Sequence, residues 1–258
     1  MSEREKKISL FADALNVAVT DQGDGPAYLV LHGGAGPASV AGLAERLGQH
    51  GRVVVPTLPG FNGEPRPDWF LGVNDVVLAY LALVERLNLT KVVVVGNSFG
   101  GWIAAEMALR HSPSISGIAL LNPVGIDTGS PDKAIVDPMK VAPADRIGLS
   151  FHDPKKSSFG VPTPAQLAVM AVNQQTLRLY GGEILHDPQL WGRLKGISVP
   201  ALVGWGQSDK IVDVDYGRRW VQGIPGARFH AIPEAGHFPQ IEQPDEVLRL
   251  LKEFRAGV

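Results

Sequence analysis

Three side chains from distant parts of the chain have the chemical types that nucleophilic catalysis requires: Ser98, Asp209 and His237. A serine hydroxyl is a weak nucleophile at neutral pH, so a base must take its proton and a third group must hold the base in the correct tautomer. Histidine and aspartate suit these two tasks, and serine, aspartate, histidine is one of the chain orders in which such triads occur. The sequence therefore predicts a catalytic triad.

Ser98 lies in the segment GNSFG at residues 96–100, between two different sequence patterns. Four valines at 92–95 predict a strand buried on both faces, whereas residues 102–109 are mostly good helix formers. A strand, a sharp turn and a helix form the context in which a G-x-S-x-G segment presents a nucleophile at a strained corner with positive φ. The N–H of Phe99 then lies at a helix N-terminus, which favours negative charge, so we predict it as one donor of an oxyanion hole.

A glycine-rich loop, HGGAGP at residues 32–37, directly follows the short apolar strand predicted at residues 27–31. Such a loop can turn backbone N–H groups into a crevice, and these groups would complete the oxyanion hole. The alternative is a loop that needs glycine only for its turns. We expect His32 to support this loop and Ser39 to cap a helix over residues 40–47.

Other acidic and imidazole groups compete for the roles of acid and base. Asp213 and Asp215 are alternative acids, but they fall where a helix should begin, so helix capping explains them better. The remaining histidines are predicted at helix ends, inside a strand, or between residues 124 and 194, and they are His50, His111, His152, His186 and His230. The spacing of histidines and carboxylates does not resemble a metal site, and we expect no metal and no cofactor.

The composition narrows the function classes. The 258 residues suit one soluble domain, and a net charge of −2 with no basic stripe predicts no nucleic-acid partner. The absence of cysteine excludes disulfides and a thiol nucleophile. The charged first residues do not resemble a signal peptide and no run approaches ~20 apolar residues, so we expect no membrane partner and a cytoplasmic location.

Strand and helix patterns alternate up to residue 122, which predicts a parallel, doubly wound sheet. A hairpin is expected over residues 8–19 at the edge of this sheet. Further strands are predicted at residues 52–55, 115–121, 201–203 and 228–232, and further helices at 73–87, 214–221 and 244–254.

The middle of the chain has a different character, because nine of the twenty prolines fall between residues 123 and 200. Thr163 and Gln166 predict a capping box that opens a helix ending at Gly181, and Asp187 with Pro188 predicts a shorter helix through residue 194. We therefore expect a core of residues 1–123 and 195–258, and a cap of residues 124–194.

Apolar side chains of this cap could line a pocket, although we expect most of them to join the cap to the core. They are Ile147, Leu149, Phe151, Phe159, Leu167 and Met170. The candidate substrate contacts are Gly33, Trp102, Phe151, Phe159 and Phe238.

Five segments in this order resemble the α/β-hydrolase superfamily over nearly the whole chain: LHGGAGP, LPGFNG, VVVVGNSFGG, LVGWGQSDKIV and AGHFPQIEQPDEV. The resemblance implies an α/β-hydrolase fold with eight strands, the second antiparallel, and a lid between strands six and seven. It also implies a triad of Ser98, Asp209 and His237, and an oxyanion hole formed by the N–H groups of Phe99 and Gly34, with Gly33 or Ala35 as alternatives to Gly34.

The elbow GNSFGG is similar to that of the meta-cleavage-product hydrolases, which break carbon–carbon bonds. Those enzymes commonly have an aromatic residue shortly after the glycine loop and a tryptophan after the catalytic histidine, where this chain has residues 37–39 (PAS) and Phe238. We therefore expect a serine hydrolase that cleaves small carboxylic esters and acts as a monomer or homodimer. The alternatives are a carbon–carbon bond hydrolase or lactonase, and a ligand receptor without catalysis.

Overall fold

The computed structural model describes residues 4–130, 132–157 and 163–258. Eight strands within these residues form one sheet in the order β1-β2-β4-β3-β5-β6-β7-β8. The strands are β1 (Arg4–Leu10), β2 (Leu15–Gln22), β3 (Ala27–Leu31), β4 (Arg52–Pro56), β5 (Val92–Asn97), β6 (Ile115–Leu121), β7 (Ala201–Gly206) and β8 (Arg228–Ile232).

The sheet is parallel except at β2, which pairs antiparallel with both β1 and β4. The predicted edge hairpin, the parallel doubly wound sheet and the antiparallel second strand are therefore confirmed. The valine run of β5 separates two apolar layers: Val92 and Val94 lie in one buried cluster, and Val93 and Val95 in the other. Both faces of this strand are covered, as a continuous apolar strand requires.

Helices cover both faces and fill the connection between β6 and β7. They are α1 (Ala38–Gly48), α2 (Val73–Arg86), α3 (Phe99–Ala108), α4 (Pro143–Ser150), α5 (Pro164–Gly181), α6 (Leu190–Arg193), α7 (Val214–Gly223), α8 (Pro239–Glu242) and α9 (Pro244–Ala256). No helix in the described ranges is long and apolar enough to cross a membrane.

Two helix starts differ from the prediction. Ser39 does not cap α1, which begins at Ala38; its hydroxyl lies inside the helix and donates to the Gly36 carbonyl at 2.7 Å. Asp187 does not open α6, which begins only at Leu190; the Asp187 carboxylate instead accepts from the Gln189 N–H at 2.8 Å and so closes a turn. In both places a side chain of a type that favours N-caps forms a local hydrogen bond with a nearby backbone group, and it does not cap the predicted helix.

The longest helix of the insertion begins where predicted. The Thr163 hydroxyl accepts from the Gln166 N–H at 3.3 Å, and the Gln166 side chain accepts from the Thr163 N–H at 2.8 Å, which completes the capping box. Helix α4 was not predicted, because Ala142 precedes it without any side-chain cap. The division into core and cap at residues 124 and 194 remains a prediction.

The second half of α5 is bonded to the loop that follows β4. The side-chain oxygen of Asn173 accepts from the Asn62 N–H at 2.8 Å, the Thr176 hydroxyl donates to the Gly60 carbonyl at 3.3 Å, and the Tyr180 hydroxyl donates to the Pro59 carbonyl at 2.7 Å. These bonds hold α5 across the carboxyl edge of the sheet, where parallel strands place their functional residues.

Candidate active site

Ser98 occupies the sharp turn between β5 and α3, with φ of 57°. The turn requires glycine on both sides. A Cβ at position 96 would lie 2.2 Å from the Gly100 carbonyl oxygen, and a Cβ at position 100 would lie 2.3 Å from the Leu31 carbonyl oxygen. The predicted geometry of the elbow is therefore confirmed, and Phe99 is the first residue of α3.

His237 follows the edge strand β8, Asp209 follows its neighbour β7, and the two side chains meet. The His237 Nδ1 atom is 2.7 Å from Asp209 Oδ2, and both residues are 5% exposed. The same carboxylate accepts from Asn122 Nδ2 at 2.7 Å and from the Ile211 N–H at 2.8 Å. Because Asp209 is surrounded by donors, His237 Nδ1 carries the proton in this bond and Nε2 is left to act as a base.

The competing acids do not contact His237. Asp213 is the N-cap of α7, where its carboxylate accepts from the Tyr216 N–H at 3.0 Å and binds Lys133. This lysine, together with the Tyr216 N–H, lowers the pKa of Asp213, although burial acts in the opposite direction. Asp215 is exposed and paired with Arg218. Asp213 thus caps α7 as predicted, whereas Asp215 lies in the first turn of the helix and does not cap it.

The glycine loop lies directly against Ser98. A Cβ on Gly33 would be 3.2 Å from the Ser98 hydroxyl oxygen, and one on Gly34 would be 2.8 Å from Leu177 of α5. His32 supports this loop as predicted: its Nδ1 donates to the Gly33 carbonyl at 2.8 Å, and its Nε2 accepts from the Leu58 N–H at 3.1 Å. Burial lowers the pKa of His32 to about 4, so the ring is neutral near pH 7.

A cavity of about 720 Å³ opens beside Ser98 and is lined also by His237 and Gly34. Its walls are largely apolar. Most of the apolar side chains come from the segment between β6 and β7, and Phe238 comes from the loop after β8; the former include Ile147, Phe151, Leu167, Met170 and Leu177. Four of the six cap residues that we expected chiefly to join the cap to the core therefore line the cavity, namely Ile147, Phe151, Leu167 and Met170. Leu149 packs against the core, and Phe159 lies outside the described residues.

The candidate substrate contacts divide into three groups. Phe151 and Phe238 line the cavity, with ring centroids 5.4 Å apart. Trp102 and Gly33 are not among the residues that line it. Trp102 is instead buried, with its ring edge-to-face against Phe99. Phe159 lies outside the described residues.

The cavity wall also carries charged side chains that already have partners. Arg178 donates to Asp137 at 2.8 Å, and Arg146 donates through Nε to the Val141 carbonyl at 3.0 Å. No group of three histidine, aspartate or glutamate side chains in the described residues is arranged to hold a metal ion.

Two polar residues of the site, Asn97 and Gln240, were not predicted from the sequence. The Asn97 side chain donates to the His237 carbonyl at 3.0 Å, and the Gln240 side chain donates to the Asn97 side-chain oxygen at 3.2 Å. Together they join the end of β5 to the histidine loop. Their only sequence signal was position, since each lies within three residues of a predicted catalytic side chain.

The site thus has a histidine paired with a buried carboxylate, and a serine on a strained corner that opens into the same cavity. Ser98 and His237 are not hydrogen-bonded to each other in this structure. Such bonds are often long without substrate and shorten in the reacting complex.

The comparison with known families agrees with this architecture, since the model of the alpha/beta hydrolase family matches residues 28–250. The chain belongs to the alpha/beta hydrolase family. The protein is therefore a hydrolase of this family with an eight-stranded, mostly parallel sheet in its described residues.

Two curated relatives of this hydrolase are also named as hydrolases. A 2-hydroxy-6-oxo-6-phenylhexa-2,4-dienoate hydrolase from Burkholderia cepacia is 29% identical, over 98% of this chain and 94% of its own length. A 2-hydroxymuconate semialdehyde hydrolase from Pseudomonas putida is 27% identical, over 92% of this chain and 89% of its own length.

Solved structures of an esterase and of a meta-cleavage product hydrolase share the fold. A thermophilic esterase from Thermogutta terrifontis has a TM-score of 0.76 and 24% identity over 97% of both chains. A meta-cleavage product hydrolase from Pseudomonas fluorescens has a TM-score of 0.74 and 22% identity, over 92% of this chain and 94% of its own.

Proposed function

We propose that the protein is a serine hydrolase that forms an acyl-enzyme on Ser98. His237 Nε2 takes the hydroxyl proton as Ser98 attacks the carbonyl carbon, and then gives it to the leaving group. Asp209 stays ionised and orients the imidazole. Water activated by His237 then cleaves the acyl-enzyme. The observation that carries this proposal is the 2.7 Å contact between His237 and Asp209 beside a cavity that Ser98 also lines.

The oxyanion of each tetrahedral intermediate is stabilised by the N–H groups of Phe99 and Gly34. Phe99 begins α3, where the helix dipole favours negative charge, and Gly34 lines the cavity on the opposite loop. Each such donor typically contributes ~3 kcal/mol to the stability of the transition state.

The substrate class that fits the cavity best is a small, largely apolar carboxylic ester. The walls are mainly aliphatic and aromatic, and Arg178 and Arg146 already bind protein groups, so they are not set aside for a substrate carboxylate. A neutral ester loses less hydration free energy than an anion on entering such a cavity.

Carbon–carbon bond hydrolysis is the second candidate, because both curated relatives described above are named as hydrolases of 2-hydroxy-6-oxo dienoates or a semialdehyde of this type. The same serine, histidine and aspartate would serve, but the substrate carries a carboxylate. An assay with a 2-hydroxy-6-oxo-dienoate beside a panel of esters and lactones of increasing acyl length separates the two classes. A higher kcat/KM for the dienoate would replace the ester proposal.

The mechanism is tested with the Ser98→Ala variant. We expect the wild-type protein to hydrolyse an activated aryl ester and to be labelled stoichiometrically by a fluorophosphonate, and the variant to lose both properties. Labelling or turnover that survives in Ser98→Ala would show that another residue is the nucleophile. A wild-type protein that neither turns over nor labels would instead favour a ligand receptor.

A further inference from the structure

Glu242 is a buried carboxylate that the proposed mechanism does not use. It ends the short helix α8, and the residue is 3% exposed. Its side chain accepts three backbone hydrogen bonds: from the Gly236 N–H at 2.6 Å, from the Asp153 N–H at 2.9 Å and from the His152 N–H at 3.1 Å. Three donors satisfy much of the hydrogen-bonding capacity of a carboxylate that has lost its water.

These three donors belong to two separate parts of the fold. Gly236 immediately precedes His237, in the loop after β8, whereas His152 and Asp153 follow α4 in the insertion. We name residues 150–153 the α4 strap. The carboxylate therefore joins the loop that carries the proposed base to a segment more than 80 residues away in the sequence.

Further contacts press the α4 strap against the same loop. The His237 N–H donates to the Ser150 carbonyl at 2.7 Å, and a Cβ on Gly236 would lie only 2.3 Å from that carbonyl oxygen. The strap also supplies a cavity wall, because Phe151 lies next to Phe238.

The strap reaches the loop of the acid as well. His152 Nδ1 is 2.8 Å from the Ser208 hydroxyl, one residue before Asp209. Both catalytic loops are thus bonded to one short segment. Glu242 binds that segment by accepting from two of its N–H groups. In addition, the Lys156 ammonium group donates to the backbone carbonyl of Glu242 at 3.2 Å.

We infer that Glu242 is a positioning residue: through Gly236 and the α4 strap it fixes the backbone of His237 relative to Asp209 and to the cavity. This inference rests on the proposed function, since it assigns His237 the role of base. Replacement by glutamine leaves one acceptor oxygen and turns an NH₂ group toward at least one of the three donors, so the loop and the strap separate.

The test compares Glu242→Gln with the wild-type protein in an ester assay over a range of pH. We expect kcat to fall about 10- to 100-fold with a smaller change in KM, because a small displacement of a catalytic group has an effect of this size. The apparent pKa of the acid limb should also fall, since a poorly oriented Asp209 stabilises the imidazolium less. A purely structural role would lower thermal stability without moving this pKa.

Glu106→Gln is the matched control. Glu106 is equally buried and also binds the insertion, through Arg193, but it contacts neither catalytic loop. We expect this variant to lose stability and to keep the kinetic constants and pH profile of the wild-type protein. A folded Glu242→Gln variant that behaves in the same way would overturn the inference.

A measurement on the unmodified protein covers the case in which Glu242→Gln does not fold. Hydrogen exchange followed by NMR should show the amides of Gly236, His152 and Asp153 opening together, with similar protection factors. Rapid exchange at residues 152 and 153 beside a protected Gly236 would overturn the inference. Because exchange needs no turnover, its result stays separate from that of the ester assay, on which the proposed function depends.

Discussion

The Asp209 carboxylate has donors on both of its oxygens, and this determines what its replacement would do. Oδ2 faces His237 and Asn122, while Oδ1 faces the backbone N–H groups of Ile211 and Val212. An amide at this position must direct its NH₂ group at one of these donors. The histidine would then be held in the wrong tautomer or released.

We therefore expect Asp209→Asn to lower kcat by up to ~10⁴ while the protein stays folded. Asp213→Asn is the matched control, because it removes the same charge four residues later and retains an oxygen that can cap α7. Steady-state kinetics of both variants test the assignment. If Asp213→Asn is the more damaging change, the acid is misassigned.

A buried neutral histidine makes the stability of the protein depend on pH. The folded-state pKa of His32 is about 4, below its unfolded value of about 6.5, so the unfolded chain binds one more proton between these values. The free energy of unfolding should therefore fall as the pH falls from about 6.5 to 4. The contribution of this one group is of the order of 3 kcal/mol.

Urea denaturation at pH 7 and pH 4.5 measures this effect, with His32→Gln as the comparison. The variant should be less stable at pH 7 but should lose less stability on acidification. Equal pH slopes for the two proteins would mean that His32 titrates normally.

At the level of single residues, the sequence predicted the turns that carry Ser98, Asp209 and His237, but not the side chains that surround them. Ser98, Asp209 and His237 could be named because their loops follow strands. Trp102 was expected to contact substrate, but it is buried against Phe99 and is not among the residues that line the cavity. The roles of Asn97 and Glu242 depend on partners up to 140 residues away, which no local pattern encodes.

At the level of elements, the elbow depends on how closely β5, α3 and β3 approach. We expect Gly100→Ala to destabilise the protein by several kcal/mol or to prevent folding, because its Cβ would meet the Leu31 carbonyl and backbone cannot yield as a side chain can. Gly42→Ala is the control. Nothing lies within 4 Å of a Cβ there, and alanine should stabilise α1 by about 1 kcal/mol.

Thermal unfolding of both alanine variants checks this pair. A Gly100→Ala variant as stable as the wild-type protein would mean that the elbow relaxes more easily than the close contact implies.

The elements themselves were predictable where local chemistry and burial agree. Runs of β-branched residues predict buried strands, as at residues 92–95, and the capping box predicts the start of α5. Helix α4 and the late start of α6 were not predictable. No side chain caps α4 at Ala142, and the Asp187 N–H is held by the Gly125 carbonyl at 2.8 Å, a partner distant in the sequence.

At the level of the whole molecule, an ion pair between an exposed arginine and a buried glutamate joins the insertion to α3. Arg193 of α6 binds both carboxylate oxygens of Glu106 on α3, at 2.7 and 2.8 Å. The Glu106 side chain is only 4% exposed, so it depends on this partner. We expect Arg193→Met to lower the free energy of unfolding by about 3 kcal/mol, because it leaves a buried charge unpaired.

The double variant Arg193→Met with Glu106→Gln should regain much of this loss, since the charge is removed as well. Urea denaturation of the single and double variants provides the measurement. A single variant that loses less than about 1 kcal/mol would place this pair among ordinary surface ion pairs.

Residues 237–242, which include His237 and end α8, are translated long after the turn at Ser98. A ribosome-bound chain can complete β5 and the turn at Ser98 while residues 237–242 are still untranslated. The nascent chain therefore contains the proposed nucleophile before its proposed base has been translated. The proposed mechanism requires translation past Glu242, since only then does the α4 strap gain the acceptor that joins it to the loop of His237.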